Sequence, residues 1–226
     1  YRGQWVRSED SLIFRFNPER NKMDGNPRGE WSHLLGVDLG FTSESAFVVV
    51  AYSEDSPDVF IVDEFEQKGM SISDLAEKIR SFDRMYQLSD TIVDPGGLGV
   101  TIIDEMINRH GLNIRYAEKS KKNDYIEAMN DDFLTGRLKV LASCKSIMDE
   151  WQLLQWDEQR KKPQSGYKNH LSDAALYAWR EAMHYTYRKP ECKPETHTPE
   201  YVKYVENKIL TELEDNYQKN QEGNLW

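Results

Sequence analysis

Apolar residues follow two rhythms along this chain. Between Trp31 and Phe65 they come in short unbroken blocks: Leu34-Leu35-Gly36-Val37, Ala46 to Ala51, and Val59 to Val62. Blocks of roughly four to eight residues, bounded by turn formers, read as strands buried on both faces. The link Ser53 to Asp58 is polar and short, so these three strands are expected to form an antiparallel meander. The first of them runs Leu34-Leu35-Gly36-Val37-Asp38-Leu39-Gly40, an apolar run that ends on one carboxylate followed by a glycine.

At Ser71 the rhythm changes. Ser71-Ile72-Ser73-Asp74 offers helix-capping residues, and Leu75, Ile79, Phe82 and Met85 then recur at helical spacing to about Leu88. Asp90 to Asp94 is a fourth strand, again ending in Asp. Because it follows a helix it is expected to lie parallel to the first strand. Gly99 to His110 reads as a helix with Ile102, Ile103, Met106 and Ile107 on its apolar face, ended by Gly111. A fifth strand at Ile114 to Ala117, a helix at Asn123 to Leu134 and a short strand at Leu138 to Leu141 follow. A helix at Lys145 to Trp156, a charged loop or hairpin at Asp157 to Lys168, and a last core helix at Leu171 to Tyr187 complete the pattern. A three-stranded antiparallel meander, then parallel strands alternating with helices on both faces, is the α/β order of a ribonuclease-H-like mixed sheet.

The ends read differently. Residues 1–30 form a lead-in joined to something upstream. Trp5-Val6 and Leu12-Ile13-Phe14 suggest a short strand pair, and Asn17 to Glu30 a polar loop, with the core starting near Trp31. Residues 31–188 hold the domain. Residues 189–226 are a polar, proline-punctuated tail in which Tyr201, Tyr204, Val205, Ile209, Leu213 and Tyr217 mark one amphipathic helix, or else a disordered end.

Composition narrows the function. Apolar residues make up 38% of the 226, which fits a core with peripheral segments. A formal net charge of -10 excludes coating of nucleic acid by bulk charge but not a local basic groove. Cys144 and Cys192 belong to no CxxC pair, so neither a cysteine zinc site nor a disulfide framework is expected. No apolar run reaches the ~18 residues of a membrane span. The opening Tyr-Arg-Gly-Gln-Trp resembles no secretory leader, and the missing initiator Met suggests a piece of a longer chain.

The candidate chemistry rests on Asp38, Asp94 and Asp173. Asp38 and Asp94 end two strands expected to be neighbours, and Asp94 precedes the open turn Pro95-Gly96-Gly97. Asp173 lies at the start of the last helix, in His170-Leu171-Ser172-Asp173-Ala174-Ala175. Carboxylates gathered in this way repel one another, and hard divalent cations with oxygen ligands relieve the repulsion, hence Mg²⁺ or Mn²⁺. Two such ions activate water and stabilise the leaving oxygen in phosphodiester hydrolysis.

Gly36-Val37-Asp38-Leu39-Gly40, Val93-Asp94-Pro95-Gly96-Gly97 and His170-Leu171-Ser172-Asp173-Ala174-Ala175-Leu176-Tyr177-Ala178 resemble the three signature stretches of the nuclease domain of the phage terminase large subunit. The resemblance covers about Trp31 to Tyr187, and Trp5 to Phe14 is similar to the segment joining that family's ATPase to its nuclease. It implies a metal-dependent endonuclease that cuts concatemeric double-stranded viral DNA during packaging, in the host cytoplasm. It also implies Asp38, Asp94 and Asp173 as metal ligands, and a portal and a small terminase subunit as partners. No GxxxxGK[ST] phosphate loop occurs, so the packaging ATPase is not in this chain.

Other residues carry weaker signals. His170, three residues before Asp173, is read as packing or capping rather than as a support for a second ion. Asp63 and Glu64 read as a solvated strand end. Lys119, Lys121 and Lys122 are candidate phosphate contacts at the same sheet edge, and Arg160-Lys161-Lys162 with Lys168 is a second basic cluster in the hairpin. The alternatives are a resolvase or transposase of the same fold, a fragment of an actin-like ATPase or kinase, and a non-catalytic packaging module.

Overall fold

The computed structural model describes residues 11–40, 43–96, 99–159, 162–182, 201–203 and 205–206. Along the chain run α1 (Pro18–Asn21), β1 (Lys22–Met23), β2 (Ser32–Asp38), β3 (Glu44–Ser53), β4 (Ser56–Lys68), α2 (Ile72–Tyr86) and β5 (Asp90–Asp94). Then come α3 (Val100–Asn108), β6 (Arg115–Tyr116), α4 (Lys122–Thr135), β7 (Leu138–Leu141), α5 (Lys145–Leu153) and α6 (His170–Glu181).

The seven strands form one mixed sheet in the order β1-β7-β4-β3-β2-β5-β6. As expected, β2, β3 and β4 make an antiparallel meander. β5 pairs with β2 in parallel, and β6 pairs with β5 in parallel. β7 pairs in parallel with β4, and β1 with β7, on the opposite edge. The fold is the mixed α/β, ribonuclease-H-like one.

Strand alternation sorts the side chains. Val37 and its register partner Phe47 share one face, where Phe47 stacks on Phe82 of α2 at a centroid distance of 6.2 Å. Gly36 and Asp38 point to the other face, covered by α6. A Cβ on Gly36 would lie 1.9 Å from the carbonyl oxygen of Ala174 and 3.0 Å from Cβ of Ala178. Only a residue without a side chain lets α6 settle so deeply on β2, and the small stripe of the helix meets it from above.

α2 begins at Ser71, whose hydroxyl accepts from Asp74 N–H while the Asp74 carboxylate accepts from Ser71 N–H, a reciprocal cap. Its buried face is Leu75, Ala76, Ile79 and Phe82. Met85 does not join it and is 66% exposed. Tyr86, a full turn beyond Phe82, is the residue packed inward.

The core reaches further upstream than Trp31. Ile13, Phe14 and Phe16 are buried, and Phe14 and Phe16 pack around Phe133 and Trp151 with ring centroids 5.4–6.4 Å apart. Two buried asparagines fasten this segment. Asn130 accepts from Arg15 N–H at 2.8 Å and donates to Ile13 O at 2.9 Å. Asn21 donates to Phe133 O at 2.9 Å and Leu138 O at 3.0 Å. The expected loop over 17–30 therefore contains α1 and β1. Leu12 pairs with Gln155, and the expected partner strand at Trp5-Val6 lies outside the described residues. The segment after α5 turns back as a hairpin, with Trp156 bridged to Pro163.

The chain divides into two units, 1–187 and 188–226. In the second, residues 201–203 and 205–206 are helical, and the rest of the expected tail helix lies outside the described residues. No helix among the described residues is long and apolar enough to cross a membrane.

Candidate metal centre

Two facts of strand geometry build the site. β2 and β5 are parallel neighbours, and Asp38 stands opposite Asp94 in their register. Residues paired across a ladder share a face, so both carboxylates stand on the face that carries α6. That helix begins at His170 and brings Asp173 in its first turn. Asp38 and Asp94 are both close enough to act on Asp173. The Asp173 carboxyl is pushed above the usual carboxylate range, chiefly by burial, with Asp38 and Asp94 adding to the rise and Lys122 opposing it. Asp38 and Asp94 are buried at 8% and 5% exposure.

Each acid meets a basic side chain. His170 Nδ1 lies 2.6 Å from Asp38 Oδ2. Lys119 Nζ lies 2.5 Å from Asp94 Oδ1, and Lys122 Nζ lies 2.7 Å from Asp173 Oδ2. Asp94 also accepts from Gly96 N–H at 2.8 Å, and Asp173 from the amide of Asn169 at 2.9 Å. The imidazole of His170 is pushed above its ordinary value, first by the hydrogen bond to Asp38. Tyr177, one turn beyond Asp173, is buried, and burial raises its phenol, with the charges of Asp173 and Asp94 adding to the rise.

The donor set fits a hard divalent cation: oxygen donors from two adjacent strand ends and one helix start. Among the described residues no group of three or more His, Cys, Asp or Glu side chains stands at metal-holding spacing. Asp94 and Asp173 are turned to lysines, and Asp38 to His170.

The start of α6 lacks a local side-chain cap. Glu150 of α5 supplies one from a distance, accepting from Leu171 N–H at 3.3 Å, Ser172 N–H at 2.8 Å and Ser172 Oγ at 2.7 Å. α5 also lacks a local cap, and Glu64 of β4 accepts from Ser146 and Ile147 N–H, both at 2.8 Å. Burial raises both carboxyls. The site is thus braced from β4 through two helix starts.

Several expectations change. His170, expected to pack or cap, also touches Asp38. Asp63 and Glu64 are not a solvated strand end, since Asp63 accepts from Tyr86 OH at 2.9 Å and Glu64 caps α5. Gly40 makes room for the chain itself, because a Cβ there would lie 2.3 Å from the carbonyl oxygen of Glu44. Lys119 and Lys122 face the acids, whereas Lys121 is exposed and adopts a left-handed φ of 55° ahead of α4. Lys168 pairs with Glu44 at 2.8 Å, and Arg160 and Lys161 lie outside the described residues. Sequence reasoning missed Asn169, Tyr177 and Glu150. Of these only Tyr177 carried a signal, its spacing of one helical turn from Asp173.

No family model matches the sequence. The terminase large subunit of Escherichia phage T5 is 26% identical over 151 residues, which is 64% of this chain and 34% of that protein. The chain thus spans about a third of the length of this curated relative. Among solved structures, the large terminase nuclease domain of P22 superposes with a TM-score of 0.62 at 17% identity, covering 75% of this chain and 92% of that one. The large terminase nuclease domain of bacteriophage SPP1, solved with bound Mn, superposes with a TM-score of 0.58 at 18% identity, covering 76% and 98%. The chain has the fold of large terminase nuclease domains and a phage large terminase as a homologue.

Proposed function

We propose that this chain is a metal-dependent DNA endonuclease that cuts concatemeric viral DNA during genome packaging. The observation that carries the reading is the register pair Asp38–Asp94 lying under the first turn of α6, which adds Asp173. The homologue in phage T5 and the Mn bound by the SPP1 nuclease domain support it.

Asp38, Asp94 and Asp173 would hold Mg²⁺ or Mn²⁺, in two ions. The ions supply Lewis acidity that lowers the pKa of water and stabilises the leaving oxygen. The chain's own residues do the rest. Asp38 fixes the imidazole of His170 through Nδ1, which leaves Nε2 to hold or accept a proton next to the acids. Lys119, Lys121 and Lys122 contact the phosphates of double-stranded DNA, which positions the duplex without reading its sequence. In the packaging setting the partners are a portal and a small terminase subunit, and the compartment is the host cytoplasm.

The test is incubation of supercoiled plasmid with the protein and Mn²⁺ or Mg²⁺, with EDTA as control. Nicked and linear products that require the metal, and that vanish in Asp38→Asn, Asp94→Asn and Asp173→Asn, support the reading. Metal-independent cutting, or cutting by the Asp173→Asn protein at the parental rate, rejects it.

A further inference from the structure

The lysines on two of the acids belong to one short run, Glu118-Lys119-Ser120-Lys121-Lys122, between β6 and α4. This run is held in place by the helix that carries Asp173. Arg180 of α6 donates to Glu118 O at 3.0 Å and Ser120 O at 2.8 Å. Glu118 closes the turn by accepting from Ser120 N–H at 2.7 Å. The backbone is thus anchored, but the side chains differ in freedom. The side chains of Asp94 and Asp173 keep 7% and 16% exposure, while those of Lys119 and Lys122 keep 51% and 30%. The ammonium groups are more open to solvent than the carboxylates they meet.

We infer that Lys119 and Lys122 are tethered counter-ions of the metal centre. In the metal-free chain they neutralise Asp94 and Asp173. A divalent cation must displace them, and the displaced ammonium groups swing outward to DNA phosphates. This rests on the reading above, and it adds what sets the metal affinity and what links metal loading to DNA binding. A lysine on a four-carbon stem suits such an exchange, because its charge moves several ångströms while its backbone stays fixed.

The experiment is titration calorimetry of Mn²⁺ into the parent, Lys119→Met, the Lys119→Met/Lys122→Met double variant, and Lys122→Arg. Met keeps the apolar stem and removes the competing charge. The expected dissociation constant for Mn²⁺ falls roughly fivefold in Lys119→Met and further in the double variant. Lys122→Arg, which keeps the charge, stays near the parent. An unchanged or weakened affinity in both Met variants overturns the inference. Lys119→Met keeps the question answerable if the double variant misfolds, since Lys119 is half-exposed. A second readout is the salt dependence of binding to a short duplex, in EDTA and in Ca²⁺. Two freed lysines steepen the slope of log K against log salt by up to about 1.8 in the parent. The double variant lacks that increment, and equal steepening in both proteins overturns the inference. A parent that binds no Mn²⁺ removes the nuclease reading together with this one. A parent that binds Mn²⁺ while its Met variants bind no tighter removes this one alone.

Discussion

The carboxylate of Glu150 accepts hydrogen bonds from both the backbone N–H and the hydroxyl of Ser172, the residue that precedes Asp173. A buried acid on α5 therefore determines where α6 starts, and α6 determines where Asp173 and His170 stand. Removing it with Glu150→Ala leaves buried donors without a partner, at a cost of about 1–3 kcal/mol. Glu150→Gln retains an acceptor oxygen and should lose less. Urea unfolding gives both values. Calorimetry with Mn²⁺ should show weaker binding in Glu150→Ala under conditions where it is fully folded.

The same residue shapes the pH dependence. Burial holds the Glu150 carboxyl above its ordinary value of 4.5. Between that value and its folded pKa the native state keeps a proton that the unfolded state has released. Its contribution to stability thus falls as pH rises through that window. Glu150→Gln removes this component, so unfolding free energy above about pH 4.5 should decline less steeply with pH than in the parent. A steeper decline in the variant would contradict the assignment.

Gly36→Ala should be among the most damaging small substitutions in β2. The added methyl would lie 1.9 Å from a backbone oxygen of α6, which cannot move without moving the helix. Overpacking of this kind costs about 1–3 kcal/mol. Because the displaced residue is Ala174, next to Asp173, metal affinity should drop along with the melting temperature.

Asp173→Asn should separate chemistry from folding. Burial and two neighbouring acids penalise the ionised carboxylate more than Lys122 favours it, and Asn removes that charge at nearly the same shape. The metal-free variant should be at least as stable as the metal-free parent at neutral pH. Native-state metal binding stabilises by about 2.7 kcal/mol at a hundredfold excess over Kd. Mn²⁺ should raise the melting temperature of the parent clearly and of the variant much less. A metal-free variant that melts well below the parent would assign Asp173 a structural role instead.

A chain that begins at Trp31 should not hold the native fold. It lacks Ile13, Phe14 and Phe16, which cover Phe133 and Trp151, and it loses Asn21. Loss of a buried aromatic side chain alone costs about 3–5 kcal/mol. Near-UV circular dichroism should show loss of fixed aromatic packing. A chain ending at Tyr187 should keep it, in line with the division of the chain there.

Periodicity along the sequence determined the meander, the parallel pairing of the first and fourth strands, and the order of helices. These follow from local rules: apolar blocks bury, Ser71 caps the start of α2, and Gly136 ends α4. Asp38 and Asp94 were legible for the same reason, since both sit where an apolar run stops. Side-chain partnership was not legible. Nothing local marks Glu150 as the cap of a helix that starts 20 residues later, or Lys122 as the partner of Asp173 across 51 residues. Nor does a polar stretch such as Asn17 to Glu30 reveal that Asn21 is buried against Phe133 and Leu138. These contacts depend on how deeply α6 settles on Gly36 and where α4 begins. Such distances are set by packing between elements remote in sequence. Only the tertiary structure decides which buried charge meets which, because a desolvated carboxylate takes whatever donors the assembled fold places within reach.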